Sequence, residues 1–354
     1  MKAVRTRSFL CALLLGAVAL STAGCLSGVK EPYSLEERIP VMEDSLSRTV
    51  RYADGFASDL CVVEDEGSFD ENYVTSEAAA LFDVSDRETL YSKEAFERLY
   101  PASITKVMTA LVAIKNGDLN ARVVVTDDAV ITESGATLCG IEPGDTLTLE
   151  QLLYGLMLPS GNDAGAAIAV HIAGSIDKFA DMMNQEAASL GATGTHFVNP
   201  HGLNDPDHYT TAYDLYLIFN ECIKHDEFVD IINTAEYTAN ITGADKTVRQ
   251  AAWKQTNFYA LGEAELPQGA TIIGGKTGTT ELAGNCLILL EKDASGRPYI
   301  SIVMGADTKS LLYQDMTAII NGIGQQEPAA ADAADGDAKQ DEPAAASDVD
   351  NGNP

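Results

Sequence analysis

The chain is short of positive charge: 23 Lys and Arg stand against 53 Asp and Glu, a formal charge of −30 over 354 residues. So acidic a surface repels phosphate backbones, which excludes nucleic-acid binding. Cysteine is scarce, six in all, and no two share the C-x-x-C spacing of a zinc site. No His-Glu-x-x-His pattern occurs, so His196, His201 and His208, gathered with Asp205 and Asp207, read as loop residues rather than ligands. His171 reads as a core or rim residue of an apolar helix. No metal and no cofactor is expected. Internal repeats are lacking, as is the βαβ alternation of a parallel sheet. Long apolar runs are absent too, except one at the extreme N-terminus.

That run, Phe9 to Leu20, follows Lys2, Arg5 and Arg7 and precedes small residues, the layout of a secretory signal over residues 1–24. It is too short for a comfortable membrane span. The exit Thr22-Ala23-Gly24-Cys25 is similar to a bacterial lipobox, in which Cys25 carries the lipid, although Thr22 stands where an aliphatic residue is usual. Ordinary cleavage after Ala23 is the rival reading. Either way the protein is exported: a lipoprotein on the outer face of the cytoplasmic membrane, or a secreted cell-wall protein. Cys61, Cys139, Cys222 and Cys286 then remain, and they read either as bridged in one of three pairings or as small buried apolar residues.

Residues 25–72 form a polar lead-in, within which Leu60–Val63 fits a short strand. Residues 325–354 collapse to Ala, Asp, Glu, Pro and Gly and are expected to be disordered, because they cannot bury enough apolar surface to offset ordering. Between them, residues 73–324 make one globular unit. Ser76–Phe82 predicts a strand, and Pro101 opens a helix running to Ile114. Leu149–Leu158, Asp163–Ala173, Lys178–Leu190 and Ala212–Lys224 predict helices, the last started by Thr211 and Asp214. Ala270–Ile273, Asn285–Leu290 and Tyr299–Met304 predict antiparallel strands, and Ser310–Ile323 a closing helix. The pattern is α+β: an antiparallel sheet flanked by helices, plus a mainly helical subdomain.

Three short motifs carry candidate chemistry. Ser103-Ile104-Thr105-Lys106 sits at a helix start, where a spacing of three puts Ser103 and Lys106 on one face. In apolar surroundings an amine sheds its proton and can then take one from a hydroxyl. Ser160-Gly161-Asn162 lies in a turn between two helices, where a hydroxyl and an amide can face a cleft; alone it is no more than a helix-capping turn. Lys276-Thr277-Gly278, after Gly274-Gly275 and before Thr279, offers charge and hydroxyls to a carboxylate beside a strand edge that a substrate backbone can approach. A further Ser-x-x-Lys, Ser175 to Lys178, reads as a plain helix start.

Ser-x-x-Lys, Ser-x-Asn and Lys-Thr-Gly in this order occur together in class A β-lactamases and penicillin-binding proteins. The longer strings Pro101 to Ala110, Leu158 to Ala164, Phe197 to Leu203 and Gly274 to Thr279 resemble the serine-type D-alanyl-D-alanine carboxypeptidases, the low-molecular-mass penicillin-binding proteins of the peptidase S11 family. The resemblance runs from about Ser76 to Ile323 and implies a β-lactamase/transpeptidase-like fold. It implies removal of the terminal D-Ala from peptidoglycan stem peptides through an acyl-Ser103 intermediate, with β-lactams as inhibitors. Lys106 is then the base, Ser160 a proton relay, Asn162 a holder of the substrate amide, and Lys276, Thr277, Gly278 and Thr279 substrate-binding residues. The N–H groups of Ser103 and Thr279 form the oxyanion hole.

Two departures accompany the resemblance. An arginine that follows the last strand in well-studied members has only Lys309 as a counterpart. The Glu-x-x-x-Asn element of class A β-lactamases is not found after the second motif. A D,D-endopeptidase, a transpeptidase, a β-lactamase and a non-catalytic β-lactam-binding lipoprotein stay open as alternatives.

Overall fold

The computed structural model describes Leu60, Cys61, Val63 and residues 73–324. The expected signal and lipobox, and the acidic residues 325–354, lie outside these residues. Leu60, Cys61 and Val63 form no strand, against expectation; Cys61 and its neighbours pack on the core, with the Cys61 carbonyl accepting from the Tyr213 hydroxyl at 2.9 Å.

A five-stranded antiparallel sheet holds β1 (Ala78–Asp83), β2 (Glu88–Lys93), β7 (Ala270–Thr280), β8 (Gly284–Asp293) and β9 (Pro298–Ala306), in the order β2-β1-β9-β8-β7. Its inner strands read as unbroken apolar runs because both faces are covered. On β8, Cys286, Ile288 and Leu290 enter one core and Leu287 and Leu289 the other. The first core lies under α1 (Lys106–Asn116) and α5 (Ala212–Cys222), where Phe82 stacks on Tyr216 at 4.2 Å between ring centroids. The second core is closed by α8 (Lys309–Asn321) through Leu312, Met316 and Ile320. Each such side chain contributes roughly 1.5–3 kcal/mol on burial.

The helical subdomain contains α2 (Leu149–Met157), α3 (Asn162–Ala173), α4 (Ile176–Ser189) and α6 (Asp226–Asn233). Polar caps set these boundaries: Thr148 accepts from Gln151 N while the Gln151 side chain accepts from Thr148 N. Ser175 caps α4 by accepting from Lys178 N, so this second Ser-x-x-Lys is the helix start that was expected. A second antiparallel sheet, unforeseen in the sequence, orders β3 (Arg122–Val124), β4 (Thr146–Thr148), β5 (Glu236–Thr242) and β6 (Val248–Lys254). A one-turn helix α7 (Phe258–Leu261) leads into β7.

Two local differences bear on the site. Residues Ala102–Thr105 form a 3₁₀ turn ahead of α1 rather than its first α-helical turn. In a 3₁₀ turn positions i and i+3 eclipse, which brings Ser103 and Lys106 closer in line than an α-helix would. Lys276-Thr277-Gly278 also lies inside β7 rather than beyond its end, paired to Ile288, Leu287 and Cys286 of β8.

Candidate active site

The 3₁₀ turn, the α2–α3 turn and the free edge of β7 converge. Lys106 Nζ lies 2.8 Å from Ser103 Oγ, 2.7 Å from Asn162 Oδ1 and 2.7 Å from the His201 carbonyl. The side chain is fully buried. Burial first, then the charge of Lys276, hold the Lys106 ammonium well below the usual lysine pKa; Asp163 opposes them. A neutral amine has two N–H groups and one lone pair, and this cage fits it. Asn162 Oδ1 and the His201 carbonyl accept the two N–H groups, leaving the lone pair to accept from the Ser103 hydroxyl.

The turn that carries Ser103 is held under strain. Ala102 adopts φ 47°, uncommon for a residue with a Cβ and a mark of a position fixed by its surroundings. Thr105 Oγ1 donates to the Ala102 carbonyl at 2.8 Å and meets His208 Nε2 at 2.8 Å. Because Val198 N donates to His208 Nδ1, the imidazole proton sits on Nε2 and points at Thr105. Burial keeps His208 neutral, with its pKa lowered to about 4. Both His201 and His208 thus serve the loop architecture around Ser103.

Ser160 adopts φ 66°, and its buried hydroxyl has no hydrogen-bond partner among the described residues. A strained residue with a buried, unspent donor marks a position fixed by its surroundings rather than by its own bonding. Asn162 opens α3, and its N–H donates to the Thr137 carbonyl at 2.8 Å. Asp163, to which the sequence reading gave no role, accepts from Cys139 N, Gly140 N, Ile141 N and its own neighbour Ala164 N at 2.9–3.2 Å. It thereby ties the loop on one side of the cleft to the helix that carries Asn162.

On the opposite wall, Lys276 is buried and makes one hydrogen bond among the described residues, to the Thr277 carbonyl at 2.8 Å. Burial lowers its pKa to about 7. Gly278 is required by packing: a Cβ there would stand 2.9 Å from Ser103 N and 3.0 Å from Ile104 N. Thr279 Oγ1 donates to Asn285 Oδ1 at 3.1 Å, and Asn285 Nδ2 in turn donates to the Ala306 carbonyl. Thr277 Oγ1 pairs with Thr256 Oγ1 at 2.5 Å. A cavity of about 300 Å³ opens over Ser103, lined also by Asn162, His201, Thr279 and Glu281.

The family pattern described as D-alanyl-D-alanine carboxypeptidase, peptidase S11, matches residues 66–308. The chain belongs to this family. A D-alanyl-D-alanine carboxypeptidase of Bacillus subtilis is 31% identical over 250 residues, covering 70% of this chain and 61% of the relative. The chain thus spans about three fifths of that protein's length. One from Streptomyces sp. K15 is 33% identical over 245 residues, covering 66% and 81%. The crystal structure of the Streptomyces K15 DD-transpeptidase superposes with a TM-score of 0.66 at 30% identity, covering 72% of this chain and 98% of that one. The α+β, transpeptidase-like fold read from the sequence is therefore the fold.

Of the residues singled out in the sequence, Ser103, Asn162 and Thr279 line one cavity, and Lys106 bonds to the first two. Gly278 packs on Ser103, and the charge of Lys276 acts on Lys106, while in the chain Ser160 stands two residues before Asn162 and Thr277 adjoins Gly278. Lys309 does not join them: its ammonium lies 5.4 Å from the centroid of the Phe258 ring, outside the lining of the Ser103 cavity. His171 is exposed on α3, on the rim side of the two expectations. Cys25 lies outside the described residues. Asp163 and Asn285 are supporting residues that motif reading missed, the one signal being that Asp163 directly follows Ser-Gly-Asn; His208, read as a loop residue, buttresses the turn through Thr105.

Proposed function

We propose that this protein is a serine D-alanyl-D-alanine carboxypeptidase that removes the terminal D-Ala from peptidoglycan stem peptides and is acylated by β-lactams. The observation that carries the reading is the buried, caged Lys106 amine 2.8 Å from Ser103 Oγ, where burial and Lys276 disfavour its charged form. Ser103 Oγ attacks the penultimate D-Ala carbonyl as its proton passes to Lys106 Nζ. The oxyanion is held by the N–H groups of Ser103 and Thr279, donors of a kind contributing about 3–4 kcal/mol each. The C–N bond then breaks, and the departing amine receives a proton from Lys106 through the unspent Ser160 hydroxyl. Water afterwards attacks the acyl ester under the same base, releasing the shortened peptide and restoring Ser103.

Asn162 orients both the Lys106 amine and the substrate amide. Lys276, with Thr277 and Thr279, receives the terminal carboxylate; Gly278 lets β7 close on Ser103. An amine acceptor in place of water would make the same acyl-enzyme a transpeptidase, a reading favoured by the likeness to the Streptomyces DD-transpeptidase structure. The domain division proposed is a signal over 1–24, a lead-in over 25–72 lipidated at Cys25, the penicillin-binding domain over 73–324 and an acidic tail over 325–354. That places the enzyme at the outer face of the cytoplasmic membrane, and Cys25→Ala should move it from the membrane to the soluble fraction.

The test of the chemistry is incubation of a form starting after Cys25 with a labelled penicillin, read by intact mass and peptide mapping. An adduct on Ser103, absent in Ser103→Ala, together with D-Ala release from a pentapeptide, is the expected result. Penicillin left intact with no adduct would sink the enzyme reading, and rapid turnover of penicillin would make the protein a β-lactamase.

A further inference from the structure

Past Thr279, β7 ends at Thr280, and a three-residue turn leads back into β8 at Gly284. Thr280 anchors that turn: its hydroxyl donates to Asn204 Oδ1 at 2.8 Å and accepts from Ala283 N at 3.1 Å. The first residue of the turn, Glu281, lines the Ser103 cavity. It is the only charged side chain in that lining, beside the neutral Ser134, Thr137, Asn162 and Asn204. Glu281 is exposed and has no ion pair or side-chain hydrogen bond among the described residues.

The strand gives the cavity a direction. Gly278 packs against Ser103, so Ser103 stands level with the last residue of the Lys-Thr-Gly motif. Of the residues proposed to receive the carboxylate, Lys276 and Thr277 lie on the N-terminal side of that level and Thr279 one residue past it; Glu281 lies three residues beyond it on the other side. At about 3.3 Å per residue this is about 10 Å along the strand. A peptide whose terminal carboxylate sits at Lys276 therefore runs its preceding residues toward Glu281. The side chain within reach is that of the residue just before the D-Ala pair.

We propose that Glu281 is a specificity-determining residue, selecting stem peptides whose residue before D-Ala-D-Ala carries a free ammonium group at the end of a long side chain. The inference rests on the peptidase reading above. An unpaired carboxylate attracts such a group, while acylation of the amine, as in a cross-linked stem, removes the charge and adds bulk. Uncross-linked peptide is then the preferred donor. An exposed ion pair is worth about 0.2–1 kcal/mol, which corresponds to a preference of about 1.4- to 5-fold.

The experiment compares kcat/KM for Nα-acetyl-L-Lys-D-Ala-D-Ala and its Nα,Nε-diacetyl analogue in the protein starting after Cys25, and in its E281Q, E281K and E265Q variants. Glu265 is an exposed acid outside the Ser103 cavity, so E265Q reproduces the change in net charge alone. The free amine should be favoured in the parent and in E265Q, the preference should vanish in E281Q, and it should invert in E281K. An unchanged ratio in E281Q, or an equal fall in E265Q, overturns the role of Glu281 while leaving the peptidase standing. Release of D-Ala from neither peptide defeats the peptidase reading and this inference with it. A parental melting temperature and near-UV circular dichroism in E281Q confirm that the variant is folded.

Discussion

At the scale of single residues, the site is built from two buried amines whose charges oppose one another. Lys276 retains its proton to about pH 7 when folded, whereas in the unfolded chain it holds it to about 10.4. Between these values the unfolded state binds the extra proton, so this residue makes folding more favourable as pH rises and costs most below pH 7. The shift from 10.5 to about 7 corresponds to an upper bound of about 4–5 kcal/mol. Lys276→Met should therefore be more stable than the parent at pH 6, by about 2–4 kcal/mol in denaturant unfolding after losing the bond to Thr277. The gap should close near pH 10, while penicillin acylation slows at every pH. A gap independent of pH would show that folding does not lower the Lys276 pKa and that the residue stays charged to about pH 10. The Ser-x-x-Lys spacing made the Ser103–Lys106 pair legible from sequence. The φ of Ser160 and the caging of Lys106 by the His201 carbonyl were not, because both depend on loops remote in sequence.

Among the secondary-structure elements, the joint between the α2–α3 turn and the 134–141 loop decides whether the cleft keeps its shape. One carboxylate, Asp163, receives four backbone N–H groups there, three from residues 139–141. Charge-assisted bonds of this kind contribute about 1.5–3 kcal/mol, and buried N–H groups left unpaired cost about as much. Asp163→Ala should lower stability by about 2–4 kcal/mol. It should also speed hydrogen exchange at Cys139, Gly140 and Ile141 more than at α5 and lower acylation without displacing Lys106. Uniform acceleration of exchange would mean that Asp163 supports the whole domain and not this loop. The same joint shows why some elements were hidden. The helices of the first core were readable because their apolar stripes and caps are local. The β5–β6 hairpin alternates exposed polar residues with few buried ones, Ala239, Ile241 and Trp253 among them, so its strand signal is faint. The stretch Gly274 to Gly278 looks like a turn, and only pairing with β8 and the approach of Ser103 make it a strand.

Over the whole molecule, export and cysteine chemistry pull in different directions. An exported compartment permits disulfides, yet Cys61, Cys139, Cys222 and Cys286 are all buried and unpaired. Their neighbours explain the arrangement. Cys139 packs against Gly155 and Gly161 beside the cleft, Cys286 lies on the inner face of β8, and Cys222 closes α5 near the Val107 carbonyl. Each acts as a small apolar side chain in a different part of the core. Burial also keeps them in the thiol form: the pKa of Cys61 is pushed up to about 11 and that of Cys286 to about 12, and those of Cys139 and Cys222 are raised as well. A thiol that neither ionises nor meets solvent resists both alkylation and exchange. The protein starting after Cys25 should therefore take up no iodoacetamide when native, take up four equivalents when denatured without reductant, and melt at the same temperature with or without reductant. Label missing from two of the four positions, with a mass lower by two hydrogens, would instead mean that the chain forms a bridge and that one pairing rearranges this core.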